Sequence, residues 1–188
     1  MKKERLEMFT DGFIVIIITL MVLEIKLPEP DAEHFWLLIQ DIGIYALSFV
    51  VIAITWVNHH NMFLSAETIS TRIIWINFSL LFFMSLIPLA TAPLCIHFYK
   101  RESHMFYGAV LTLVSLTYTL LQFNLNRLLK SINDKDKRRI NKINWLATIL
   151  YALSIPLSFI SIYLSTVIFI MFPVIYFIPS KRLVKDLE

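Results

Sequence analysis

From Ile143 to Ser180 the chain carries no Asp, Glu, Lys or Arg. A helix needs roughly 20 apolar residues to cross about 30 Å of hydrocarbon, so this run is too long for one span and barely long enough for two. The remaining charges sit in short blocks between further apolar runs. With 57% hydrophobic, 16% charged and 14% aromatic residues and only three glycines, the composition is that of helices solvated by lipid. A soluble domain would carry more charge and would not segregate it in this way. The expected fold class is all-α: an integral membrane protein with six transmembrane helices, residues 1–188 forming one transmembrane domain.

Marking the charges places the helices at about 6–27, 36–57, 73–99, 103–126, 143–160 and 162–180. Asp41 lies near the start of the second. Pro88 and Pro93 interrupt the third without adding charge, and the last two helices meet near Ser161. The basic segment Arg127 to Lys142 reads as the connection before the fifth.

Charge placement supports this division, because Lys and Arg accumulate in cytoplasmic loops. With six spans and the N-terminus inside, the cytoplasmic side holds Lys2, Lys3, Arg5, Arg72, the seven cations from Arg127 to Lys142, and Lys181, Arg182 and Lys185; the outside keeps Lys26, Lys100 and Arg101. Five spans would strand the C-terminal cations on the wrong side. Both termini are therefore expected to be cytoplasmic, with the chain in the cell membrane. The net charge of +3 follows from this asymmetry and needs no nucleic acid to explain it. Lys135, Lys137, Arg138 and Arg139 could touch anionic lipid heads, although ordinary topology already accounts for them.

Cys95 is the only cysteine, which excludes an intrachain disulfide and any multi-cysteine metal site. The basic N-terminus and its apolar run are followed by Glu24, Lys26 and Pro28 with no small-residue cleavage site. The run is expected to be retained as the first helix.

That helix contains Asp11, and a carboxylate in hydrocarbon is costly unless it has an internal partner or serves an ion pathway. At about 100° per residue, Ile16, Thr19, Leu20 and Leu23 fall on one narrow face, with Asp11 about 140° away from Ile16. Aliphatic residues at helical spacing are ordinary lipid or packing contacts in membrane helices, so the stripe alone does not specify a function. Asp11 is accompanied by Arg5, Phe9, Thr10 and Gly12. Potential partners lie at the same membrane side: Trp56 and His59 at the end of the second helix and Asn77 early in the third. Asp11 can accept hydrogen bonds from Arg5, the Trp56 indole, the His59 imidazole or the Asn77 amide. A carboxylate so surrounded would tie three helices together.

Arg5 followed by Phe9-Thr10-Asp11, the Trp56-x-x-His59 pair and Asn77 together resemble the signature of the transmembrane protein 175 family of potassium channels, in its bacterial form. The family pattern usually has Ser where this chain has Thr10, which keeps the hydroxyl. The resemblance covers the first three helices by motif and the last three by number, length and topology. It implies a homotetramer of six-helix subunits whose first helices line a central pore. Ile16 would then form the narrowest hydrophobic ring, with Leu20 packed at the same constriction, Thr19 a hydroxyl ring, and Leu23 a second apolar ring toward the outside. Glu24 would sit at the outer mouth and concentrate cations. Arg5, Phe9, Thr10, Asp11, Trp56, His59 and Asn77 would form the helix-locking network. The resemblance implies no cofactor, and the permeant ion would be potassium.

No Thr-Val-Gly-Tyr-Gly loop or re-entrant Gly-rich segment is present to build a carbonyl filter. Two rival classes remain compatible with the sequence. A membrane enzyme could use His59 and His60 with Glu67 and His34 or His97, but no HExxH pattern or paired-carboxylate helix appears. A small proton- or cation-coupled secondary transporter could use Asp11 as its carrier, against which stand the lack of an internal repeat and of broken helices in matched positions.

Overall fold

The computed structural model describes residues 3–23, 32–64, 66, 68–127 and 134–177. Over these the chain is all-helical: α1 Lys3–Leu23, α2 Ala32–Leu64, α3 Thr71–Ile96, α4 Arg101–Asn126, α5 Asp134–Leu157 and α6 Ile162–Phe177. Four stretches are long and apolar enough to cross a membrane, in α1, α2, α3 and α4. The apolar α6 is shorter, at 16 residues, and α5 spends its first turns on charged side chains.

The helices depart from the expected boundaries where the chain leaves its apolar runs. The second continues past Val57 to Leu64, so Trp56 and His59 lie inside α2, with a further turn beyond them. The fifth starts at Asp134, so much of the basic stretch expected as a connection is helical. Hydropathy marks only the part of a helix that suits hydrocarbon, whereas Lys, Arg and Asp can extend the same helix beyond it. At the start of α3 the Ser70 hydroxyl accepts the Ile73 N–H at 3.4 Å, a side-chain cap that satisfies one orphan donor of the first turn. Pro88 and Pro93 both lie inside α3 without ending it. Between α5 and α6 the chain turns over Ser158–Ser161 through short backbone bonds, among them Ser161 N to Leu157 O at 2.9 Å. Pro156, which has no N–H to continue the ladder, precedes this turn.

Packing places α3 and α4 at the centre. Among the described residues the first helix touches only α2 and α3, while α5 packs against α4 and α6 and does not touch α1. The core runs through Leu80, Met84 and Ile87 of α3 to Tyr107, Leu111 and Leu121 of α4, all buried. Hydroxyls stitch these helices together. Ser48 lies 2.9 Å from both Thr91 and Tyr107, linking α2, α3 and α4, and Thr148 of α5 meets Ser115 of α4 at 2.9 Å. Between helices surrounded by lipid the hydrophobic effect supplies little drive, so such contacts and close packing carry the association.

Gly108 marks a close approach of α4 to α5 and α6. A Cβ there would lie 2.5 Å from the Ser154 Oγ and 3.4 Å from Ile155. The Ser154 hydroxyl is itself held by donating to the Tyr151 carbonyl at 2.6 Å. Gly108→Val is expected to destabilise the protein by about 1–3 kcal/mol through overpacking, seen as a lower Tm in detergent. Gly43→Val places its Cβ where nothing lies within 4 Å and should leave Tm nearly unchanged. Equal Tm values for the two variants would show that α4 and α5 are not seated this closely.

Candidate functional site

The first helix has two faces of opposite character. Leu6, Thr10, Ile14, Ile17 and Met21, spaced three and four apart, are all buried against α2 and α3. On the other side Ile16, Leu20 and Leu23 are 56%, 52% and 77% exposed. Thr19 and Gly12 share that exposed side. The four residues grouped by helical angle thus form one uncovered stripe on the protomer. Thr19 donates its hydroxyl hydrogen to the Ile16 carbonyl one turn back, at 2.8 Å. This leaves the oxygen lone pairs available to an outside partner, so the group presents itself as an acceptor. Glu24 lies outside the described residues.

The buried face is fixed by a three-helix hydrogen-bond chain. The Asn77 amide nitrogen of α3 donates to the Thr10 hydroxyl of α1 at 2.9 Å, and its amide oxygen lies 2.8 Å from the His59 Nε2 of α2. An amide oxygen only accepts, so the imidazole hydrogen resides on Nε2. Thr10 and Asn77 are 0% exposed and His59 is 2% exposed. The imidazole also stacks on Phe63, with ring centroids 4.3 Å apart. Thr10, Asn77 and His59 each bond across a helix boundary, as buried polar side chains in a dry site generally must.

Asp11 takes part in a separate contact. It accepts from the Trp56 indole Nε1 at 2.8 Å, and both residues are partly exposed. Phe9 bridges α1 and α3 through an edge-on contact with Phe78, centroids 5.4 Å apart. The structure therefore divides the single cluster expected around Asp11. His59 and Asn77 bond along the chain to Thr10 instead of to the carboxylate, and Arg5 is exposed, with no ion pair to Asp11 among the described residues. Helix geometry explains the division. Thr10 and Asp11 point about 100° apart, so one enters the crevice between α2 and α3 while the other meets Trp56 at its edge. Arg5, six residues before Asp11, is displaced from it by about 120° and falls on the exposed stripe side.

Sequence reasoning passed over the knot of Ser48, Thr91 and Tyr107, and the hydroxyls between α4 and α5. Their one signal was polarity inside apolar runs, since the partners are far apart in sequence and no spacing connects them. Among the described residues no group of three His, Cys, Asp or Glu side chains is placed to hold a metal ion. The Glu67 and His34 side chains weighed for an enzymatic site lie outside the described residues.

A family profile described as "Endosomal/lysosomal potassium channel TMEM175" matches residues 5–88, which include the exposed stripe and every member of the polar chain. The whole chain aligns with a potassium channel of Chryseobacterium sp. (strain P1-3), at 34% identity over 100% of this chain and 99% of that protein. A potassium channel of Streptomyces collinus is 31% identical over 84% of this chain and 82% of its own length. The fold is similar to the crystal structure of a lysosomal potassium-selective channel TMEM175 homolog from Chamaesiphon minutus, with a TM-score of 0.77, 25% identity and coverage of 93% of this chain and 95% of that one. With 34% identity along its whole length to the Chryseobacterium relative and a matching fold, the chain belongs to the TMEM175 family.

Proposed function

We propose that the protein is a potassium-permeable cation channel of the cell membrane, formed by four subunits around a central pore that the α1 helices line. In this reading each subunit spans the membrane six times, with both termini cytoplasmic, as the distribution of Lys and Arg favours. The observation that carries the proposal is the division of α1. Its buried face is locked to α2 and α3, while Ile16, Thr19, Leu20 and Leu23 stand uncovered in a row on the opposite face. Lipid alone could cover such a face. The relatives' description as potassium channels, and a hydroxyl ring position within the row, favour an axis of copies instead.

Ring chemistry then gives the mechanism. Four Ile16 side chains around an axis form an apolar constriction that expels water and blocks ions when narrow, and passes partly dehydrated cations when wider. Potassium sheds its hydration shell more readily than sodium, so a dehydration barrier favours it. The Thr19 oxygen, with its own hydrogen directed to the Ile16 carbonyl, offers lone pairs that replace some of the lost water. Leu20 packs at the constriction, Leu23 repeats the apolar ring toward the outside, and Glu24 draws cations to the mouth. Thr10, Asn77 and His59, with Trp56 and Asp11, hold α1 in the rotation that points these residues at the axis.

Single-channel recording in liposomes under a potassium-to-sodium gradient tests the reading. Unitary current steps are expected, and Ile16→Asn should raise conductance and shift the reversal potential toward loss of potassium preference while the oligomer mass stays unchanged. Slow saturable flux without steps, or a permeability indifferent to Ile16, Thr19 and Leu23, would overturn it. Asn77→Leu should act differently. It leaves the His59 N–H and the Thr10 hydroxyl without their partner, at about 1–3 kcal/mol for each buried group. The expected result is a lower Tm and a smaller tetramer fraction by mass measurement in detergent, with conductance lost in proportion.

A further inference from the structure

The cations at the start of α5 take no part in the proposed pore. We propose that the outer face of α5 binds the headgroup of an anionic phospholipid in the cytoplasmic leaflet, with Arg138 and Lys142 on the phosphate, Trp145 at the interface, and Leu146 and Ile149 along an acyl chain. This goes beyond the channel reading and rests on it in one respect, the placement of the α5 N-terminal end on the cytoplasmic side.

The register of the helix carries the argument. Arg138, Lys142, Trp145 and Ile149 follow one another at steps of four, three and four, so they share a face, and all four are exposed. With Leu146 and Asn141 they line one shallow open groove. The opposite face, with Asn144, Ala147, Thr148 and Tyr151, is buried. At 1.5 Å per residue the two cations lie about 6 Å apart along the axis, the indole about 4.5 Å beyond Lys142, and Ile149 about 6 Å further on. Cation, aromatic ring and aliphatic chain thus succeed one another in the same order as phosphate, ester region and acyl tail in a leaflet.

Neither Arg138 nor Lys142 forms an ion pair among the described residues. Arg127 lies over the Phe123 ring at 4.4 Å, and the Asn141 amide oxygen accepts from Asn126 at 3.1 Å. The positive-inside rule requires only that cations lie on this side of the membrane. It does not require them to stand in line with an exposed indole and aliphatic side chains on the one face that neither α4 nor α6 covers. Within the subunit α5 makes no contact with α1 among the described residues, so in the channel reading it is not one of the helices that line the axis.

The test counts lipids retained by the purified oligomer in native mass spectrometry, titrated with dioleoyl phosphatidylglycerol or dioleoyl phosphatidylcholine, beside potassium flux from the same preparation in liposomes. Phosphatidylglycerol should be retained preferentially. Each cation near an anionic surface contributes roughly fivefold in affinity, so Arg138→Gln with Lys142→Gln should weaken phosphatidylglycerol retention by about 25-fold and leave phosphatidylcholine retention and flux unchanged. Trp145→Leu, which keeps the charge, should also reduce retention. Lys100→Gln with Arg101→Gln removes the same charge from the other end of the bundle and should have no effect. Undiminished phosphatidylglycerol retention in the Arg138/Lys142 double variant, or an equal loss in the Lys100/Arg101 variant, overturns the proposal. Potassium flux with no lipid preference removes the lipid site and leaves the channel reading standing. Lipid preference without flux does the reverse.

Discussion

The Asn77 amide is the point on which the arrangement of the first three helices turns. Its nitrogen holds Thr10 of α1 and its oxygen holds His59 of α2, so one side chain of α3 sets the rotation and height of both neighbours. In a buried, water-free site a polar group with no partner is costly and one with a partner is directional. Aliphatic contacts such as those of Ile14 and Ile17 accommodate small rotations, because apolar burial has no direction. Two hydrogen bonds of 2.8 and 2.9 Å do not. Which side chains α1 leaves uncovered is thus a consequence of which one it commits to Asn77.

The other half of the bundle uses the same physics with weaker groups. Ser48, Thr91 and Tyr107 join α2, α3 and α4, Ser115 and Thr148 join α4 to α5, and the Ser165 hydroxyl of α6 donates to the Ser154 carbonyl of α5 at 2.8 Å. Three of these six hydroxyls, those of Ser48, Thr91 and Thr148, also lie within hydrogen-bond distance of a carbonyl of their own helix. They therefore cost little when unpaired and add modest specificity when paired. Gly108 adds room for the Ser154 and Ile155 side chains at the seam between α4 and α5. The bundle combines one stringent polar lock near α1 with a series of permissive ones around α4 and α5. In the proposed channel this suits a helix whose exposed face is aimed at the axis, supported by helices that need only stay packed.

The charged residues are distributed by a different rule. Asp11 accepts from the Trp56 indole, and this contact lies at the edge of the packed region. Arg138 and Lys142 stand at the end of an apolar helix face instead of inside the bundle, where a cation can extend its aliphatic stem along apolar surface and keep its head in a polar layer. Arg5, which stands beside the uncovered stripe of α1, belongs to this peripheral class as well.

Much was legible in the sequence. The all-helical class, the six helices and the break near Ser161 follow from uncharged runs and their spacing, because hydropathy and length are local properties. The grouping of Ile16, Thr19, Leu20 and Leu23 on one side of α1 follows from 100° per residue. Helix ends were legible only to within the apolar limit, so α2 runs beyond Val57 and α5 begins at Asp134. The partners of the polar residues were not legible. Thr10 and Asn77 are 67 positions apart and Ser48 and Tyr107 are 59 apart, and no periodicity in the chain relates residues on different helices. The sequence by itself determined which segments are helical and which residues share a face of each one. Only the packed structure decided that Asn77 takes Thr10 and not Asp11, and that Arg5 stays outside, because that choice depends on the rotation of three helices against one another.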